Sequence, residues 1–154
     1  MRTLYPGARD KARSAGILWI KLAVLYLIIG VGMGIAMGAT ENFTLRPVHA
    51  HVNLLGWTTL ALSGLIYTVF PAAGTTRLAR IHFWLLNLAI PVMMGSLACL
   101  LLKGDTRVLP ALVASEIVAA ASILAFAANI FLNLHGEGRQ YPRQYDLAAA
   151  ARMV

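Results

Sequence analysis

Four long apolar runs constrain this chain more than any other feature: residues 17–39, 48–70, 79–102 and 109–134. Each exceeds the ~20 residues a helix needs to cross a ~30 Å hydrocarbon core. Inside a bilayer only helices and closed barrels satisfy their own backbone polar groups, and apolar runs of this length predict helices. Four of them use most of the 154 residues and leave no room for a soluble domain. The 12% content of charged residues agrees, because soluble domains carry about a quarter. The connections are short, so consecutive helices should run antiparallel as neighbours. The expected fold is therefore an all-α membrane protein, a four-transmembrane-helix bundle forming one domain over residues 1–154.

The net charge of +7 would suggest nucleic acid in a soluble protein. Here the cations flank the spans, so they are read as topology signals and the lipid bilayer is the partner, with no nucleic acid. Arg2, Arg9, Lys11 and Arg13 lie in the N-terminal tail with Lys21 just inside the first span, Arg77 and Arg80 follow the second, and Arg139, Arg143 and Arg152 follow the fourth. The opposite side holds Arg46, Lys103 and Arg107. This asymmetry predicts a multi-pass protein of the bacterial inner membrane with both termini cytoplasmic. The first run is too long for a signal-peptide core. The single Cys99 excludes a disulfide framework and a thiolate metal cluster within one chain.

Small residues recur four apart in the first helix, at Gly30, Gly34 and Gly38, and permit close helix approach, within the chain in the first instance or at a dimer seam. Pro47 occupies a first-turn position, where its missing N–H costs nothing. Pro91 predicts a kink in the third helix. Asn53, Ser63, Asn87 and Asn129 are expected to bond between helices.

The chemistry-bearing residues are few. No nucleophile–base pair, phosphate loop, carboxylate cluster or HExxH motif is present. His49 and His51 stand at the mouth of the second span. At ~100° per residue they lie roughly 200° apart on a helix, so they face opposite ways and cannot ligate one metal together. Ionisable groups at membrane depth are expensive, which makes function the default reading for the pair. Neutral imidazole suits heme iron, copper or zinc. Gly56 and Ala50 offer room for a ring, Arg46 offers a cation at the surface for propionates, and Trp57 and Phe43 can bracket a porphyrin edge. No Cys-x-x-Cys-His motif exists, so a heme here would be non-covalent, most simply heme b. His82 reads as an interfacial hydrogen-bonding residue beside Trp84, and His135 as a helix C-terminal residue favoured by the dipole. Glu116 is the remaining intramembrane charge, open to a proton-relay role, a polar partner on a neighbouring helix, or protonation within the bundle.

The run His49-Ala-His-Val-Asn-Leu-Leu-Gly-Trp57, continued by Ser63-Gly-Leu-Ile-Tyr67 and Phe70-Pro71, resembles the ligand-bearing tenth helix of the heme-copper oxidase catalytic subunit. The nearest pattern is that of the cbb-type and nitric oxide reductase-like members, and His82-Phe83-Trp84 resembles the start of the helix that follows. The resemblance implies that His49 ligates a high-spin heme and His51 a low-spin one. The family's subunit has about twelve helices, arranged as three four-helix arcs, and this chain resembles one arc. Its copper histidines have no counterpart here, so oxygen reduction by this chain alone is not expected. A homotrimer would restore twelve helices, with His49 of one protomer approaching His51 of the next.

These readings lead to a heme b-binding, oxidoreductase-like protein that transfers electrons through interfacial bis-histidine hemes, with its redox partner open. The alternatives are a copper- or zinc-binding membrane protein using the same two histidines, a heme-based nitric oxide or oxygen sensor with one open axial site, and a structural subunit without cofactor.

Overall fold

A computed structural model describes the backbone of residues 6–134 and the side chains of residues 14–134. His135 and the cations Arg2, Arg139, Arg143 and Arg152, used above for topology, lie outside the described residues. Among the described residues four helices are long and apolar enough to cross a membrane, at Ser14–Thr40, Arg46–Val69, Arg77–Lys103 and Thr106–Asn133. The protein is an all-α, four-span membrane bundle, as the apolar runs require. The long elements are α1 (Pro6–Thr40), α2 (Arg46–Val69), α4 (Arg77–Lys103) and α5 (Leu109–Asn133), with a single helical turn α3 (Pro71–Gly74) between α2 and α4.

Local chemistry sets the boundaries. α2 starts on Pro47 in its first turn, and α5 likewise on Pro110. Thr76 caps α4 by accepting the Ala79 N–H at 3.0 Å. Gly104 ends α4 in the left-handed conformation, φ 64°, which spares a side chain the steric cost. Asp105 then accepts from the Arg107 backbone N–H at 3.0 Å and from its guanidinium at 2.9 and 3.0 Å, fixing the tight turn into α5. That guanidinium also holds the Asp105 carboxyl below its usual range. α4 continues through Pro91, whose ring lies on the exposed face.

The bundle is two antiparallel hairpins. α1 lies along α2, and α4 lies along α5. The first pair packs by glycine contact. A Cβ on Gly64 would stand 2.8 Å from the Gly16 carbonyl oxygen, and one on Gly16 would meet Gly64 and Thr68. Gly30 makes room for the Asn53 amide, and Gly34 for the His49 ring. These glycines serve contact within the chain, while Gly32 and Gly38 face open space. The hairpins join through buried side chains near the α2–α4 connection, among them Trp19, Tyr67 and His82. Outward-facing apolar residues such as Ile28, Ile35, Leu124 and Phe131 form the surface that lipid tails solvate.

The middle of α2 departs from regular α geometry. Residues Val52–Thr59 form a π-helical stretch, in which each bond spans five residues. Thr59 Oγ1 follows the same step, donating to the Leu54 carbonyl at 2.8 Å. The wide turns keep Val52, Gly56 and Leu60 buried in line. Such segments are frequent at functional sites, and this one begins at the residue after His51.

Candidate heme-ligand site

His49 and His51 stand on the α-helical turn Arg46–His51, before the π segment, so the opposite-face arithmetic applies to them directly. His49 turns inward and is half-buried. A Cβ on Gly34 would lie 3.2 Å from its Cε1, so its ring lies against α1. Asn53 Nδ2 stands 3.4 Å from His49 Nδ1 and donates to the His49 carbonyl at 2.8 Å. His51 points out of the bundle and is exposed.

The two rings are prepared differently. His51 Nδ1 lies 2.8 Å from the Pro47 carbonyl, which can only accept, so Nδ1 carries the proton. Pro47 lacks an N–H but presents this carbonyl one turn before His51. In neutral imidazole the other nitrogen, Nε2, is then a free lone pair on the exposed face. A histidine ligand whose other ring N–H is fixed by a carbonyl has this second-sphere arrangement. At His49 the Asn53 amide faces Nδ1 as a donor, which favours a proton on Nε2. Ligation through His49 Nε2 therefore requires Nδ1 to give up that long contact. The donor set fits a heme at His51 as it stands; at His49 it fits once Nδ1 gives up the Asn53 contact and the ring turns away from Gly34 of α1.

The other expected site residues divide. Arg46 is exposed beside the histidines, its Cζ 5.4 Å from the centre of the Phe43 ring, so both stay near the mouth of α2. Trp57 is half-buried against the core. Gly56 does not present an open slot in the lone chain, because a Cβ there would lie 2.6 Å from the Tyr26 ring. Its room accommodates an aromatic ring of α1. A nearby apolar hollow, about 180 Å³, is lined by Met33, Met37, Thr44, Leu45 and Leu102 among others, and by none of the histidines.

His82 corrects the sequence reading. It is not an interfacial residue beside Trp84 but is fully buried, at 0% exposure, whereas Trp84 is 56% exposed. Two residues apart means ~200° around the helix, so the two cannot share a face. His82 belongs to the buried stripe Ala79, His82, Leu86, Ile90, Met93. Its ring sits 4.6 Å from Trp19 and 4.9 Å from Phe126, centre to centre. Tyr67 Oη lies 3.0 Å from its Nδ1, and Asn129 Nδ2 donates to Tyr67 Oη at 3.4 Å and to the Ala73 carbonyl at 2.9 Å. Asn129 Oδ1 accepts from Thr76 Oγ1 at 2.7 Å and from Asn133 Nδ2 at 2.9 Å. The Ala73 contact fixes the amide orientation, so the Tyr67 hydroxyl receives from Asn129 and gives its proton to His82 Nδ1. His82 Nε2 then bears a hydrogen and has no partner among the described residues.

Of the four polar residues expected to bond between helices, Asn129 does so, while Asn53 and Asn87 bond the carbonyls of His49 and Phe83 on their own helices. Ser63 is buried against the core. Glu116 lies on the exposed face of α5, outside the bundle, and its carboxylate meets no hydrogen-bond donor among the described residues. A charged side chain at mid-membrane costs about 2.5–3.5 kcal/mol on insertion scales, so this placement calls for a partner.

No protein-family model, no characterised protein and no solved structure matches this chain. The likeness to heme-copper oxidases therefore rests on the residues quoted from α2 and the start of α4. Among the described residues no three His, Cys, Asp or Glu side chains gather as a metal site. A copper or zinc ion bound by this pair would need ligands from other chains.

Proposed function

We propose that this protein is a membrane heme b protein that moves electrons through hemes held between copies of the chain by His49 and His51. The single observation that carries the reading is His51: an exposed imidazole about 8 Å into the membrane span, its Nδ1 tied to the Pro47 carbonyl and its Nε2 free. A lipid tail offers that nitrogen nothing. His49, which lies inward against α1, would supply the complementary ligand to a neighbouring copy once its ring turned outward, and Arg46 at the mouth of α2 would be the cation for propionates. A heme held by His49 and His51 of two copies would supply one-electron transfer rather than oxygen chemistry, because imidazoles would occupy both of its exchangeable ligand positions. The Pro47 carbonyl holds the His51 ring, and Arg46 would supply the surface cation.

The preferred oligomer is a trimer, which restores the twelve helices of the family that the α2 motif resembles. The test is mass measurement in mild detergent, with heme quantified in the same sample. A trimer with one heme per chain and a low-spin spectrum is the expected result. A monomer retaining a low-spin, six-coordinate heme would refute the interfacial arrangement, because one chain would then provide both ligands. A colourless protein that binds copper or zinc would favour the metal alternative.

We further propose a bacterial inner membrane location with both termini cytoplasmic and residues 40–47 outside, on the asymmetry of Lys and Arg. In a Cys99→Ser background, a Glu41→Cys variant should react with a membrane-impermeant maleimide added to intact cells. Labelling only after the membrane is opened would reverse the orientation and place the histidine pair at the cytoplasmic face.

A further inference from the structure

Helix α2 presents an outward stripe, His51, Leu54, Thr58, Leu62, Leu65 and Val69, at steps of three and four. Two members are polar. His51 leaves Nε2 free, and Thr58 differs from Thr40, Thr59 and Thr68, whose hydroxyls each donate to a carbonyl of their own helix. On α5 the exposed flank carries the Glu116 carboxylate, which has no partner among the described residues.

The depths of these groups agree. α2 and α5 run in the same direction, so distance along each span can be compared at ~1.5 Å per residue. This ruler puts Tyr67 and Asn129 at about 32 and 35 Å from the starts of their spans, Arg46 and Thr106, and these two side chains do meet in the bundle. On the same scale His51 stands at about 8 Å, Glu116 at about 15 Å and Thr58 at about 18 Å. Within one chain they stay apart. α2 and α5 approach each other at the level of Tyr67, Phe126 and Asn129, whereas Thr58 and Glu116 face outward.

We infer that the outward stripe of α2 in one copy seats against the Glu116 flank of α5 in a second copy, with the Thr58 hydroxyl donating to the Glu116 carboxyl group. The occupant is a second copy because one chain carries both halves of the match, a spare donor and a spare acceptor at one depth on helices of the same direction. The two faces are different, so the contact is head-to-tail and must close into a ring or run on as a chain. It shares the oligomer of the proposed function but does not require heme.

The experiment uses the full chain with Cys99→Ser as parent. Thr58→Cys and Glu116→Cys are introduced separately, together in one chain, and by co-expression of the two single variants, then oxidised in the membrane. The head-to-tail contact yields a covalent dimer from the co-expressed pair, a ladder ending at the ring size from the double variant, and no cross-link from either variant alone. A cross-link from Glu116→Cys alone would show a symmetric seam and overturn the inference. So would the absence of any cross-link, or a monomeric parent in which Glu116→Cys reacts freely with a lipid-soluble maleimide. Because a cysteine can itself disturb the seam, Glu116→Gln and Glu116→Leu are compared by mass in detergent. Gln keeps the hydrogen bond and should hold the oligomer, whereas Leu should shift its dissociation to at least about tenfold higher protein concentration. An oligomer unaffected by Leu would overturn the contact. Heme measured in the same samples separates the two proposals: cross-links in a heme-free protein leave the seam standing and sink the heme reading, and heme without cross-links does the reverse.

Discussion

Replacing His51 by Ala is expected to remove heme from the purified protein, lowering heme per folded chain by more than about tenfold, since even second-sphere changes cost 10–100-fold in affinity. His51 is the ring whose Nε2 is free as the chain folds, its Nδ1 held by the Pro47 carbonyl at 2.8 Å. His49→Ala should have a similar effect, because an interfacial heme needs both. Both variants should fold, since His51 is exposed and His49 half-buried. His82→Ala should behave in the opposite way. It removes a ring enclosed by Trp19, Tyr67 and Phe126, so it lowers thermal stability while heme per folded chain stays near wild type. Heme content by hemochrome absorbance and folded fraction by gel filtration read the two effects separately. Full heme in both the His49 and His51 variants would sink the ligand assignment.

Gly64→Ala is expected to be strongly destabilising. The added Cβ would stand 2.8 Å from the Gly16 carbonyl oxygen, 2.8 Å from Trp19 Cβ and 2.9 Å from Ile20 Cγ1. One of these atoms is backbone and cannot turn away, so α1 and α2 must move apart. Overpacking of this kind costs about 1–3 kcal/mol. The same substitution at Gly32, where a Cβ meets nothing within 4 Å, should be neutral or add up to about 1 kcal/mol from helix propensity. Thermal or detergent-induced unfolding of the two variants makes the comparison. An equal loss at both positions would mean that contact between α1 and α2 is not what Gly64 serves.

The span boundaries were legible in the chain because hydrocarbon thickness leaves little freedom. An apolar run of 17–39 became Ser14–Thr40, and 109–134 became Thr106–Asn133. The opposite orientation of His49 and His51 was also legible, since it follows from helix pitch alone. Other features depended on long-range packing. His82 and Trp84 are two polar-capable residues standing two apart in one span, and nothing in their spacing says which one faces the first hairpin. The tertiary fold decides it by placing Trp19 and Phe126 on either side of the His82 ring. Gly56 read as open space, but Tyr26 of α1 uses that space, 30 residues earlier in the chain. The π turns at Val52–Thr59 carry no marker in composition, and they realign the buried face of α2. The His51 tautomer required the Pro47 carbonyl, a four-residue contact compatible with the sequence but fixed by the actual turn of helix. Span number, span length and the angle between side chains on a regular turn are thus legible in the chain, because one helix in a bilayer of fixed thickness sets them. Which side of each helix lies inside is settled by packing, because burial depends on a partner surface that no single helix contains.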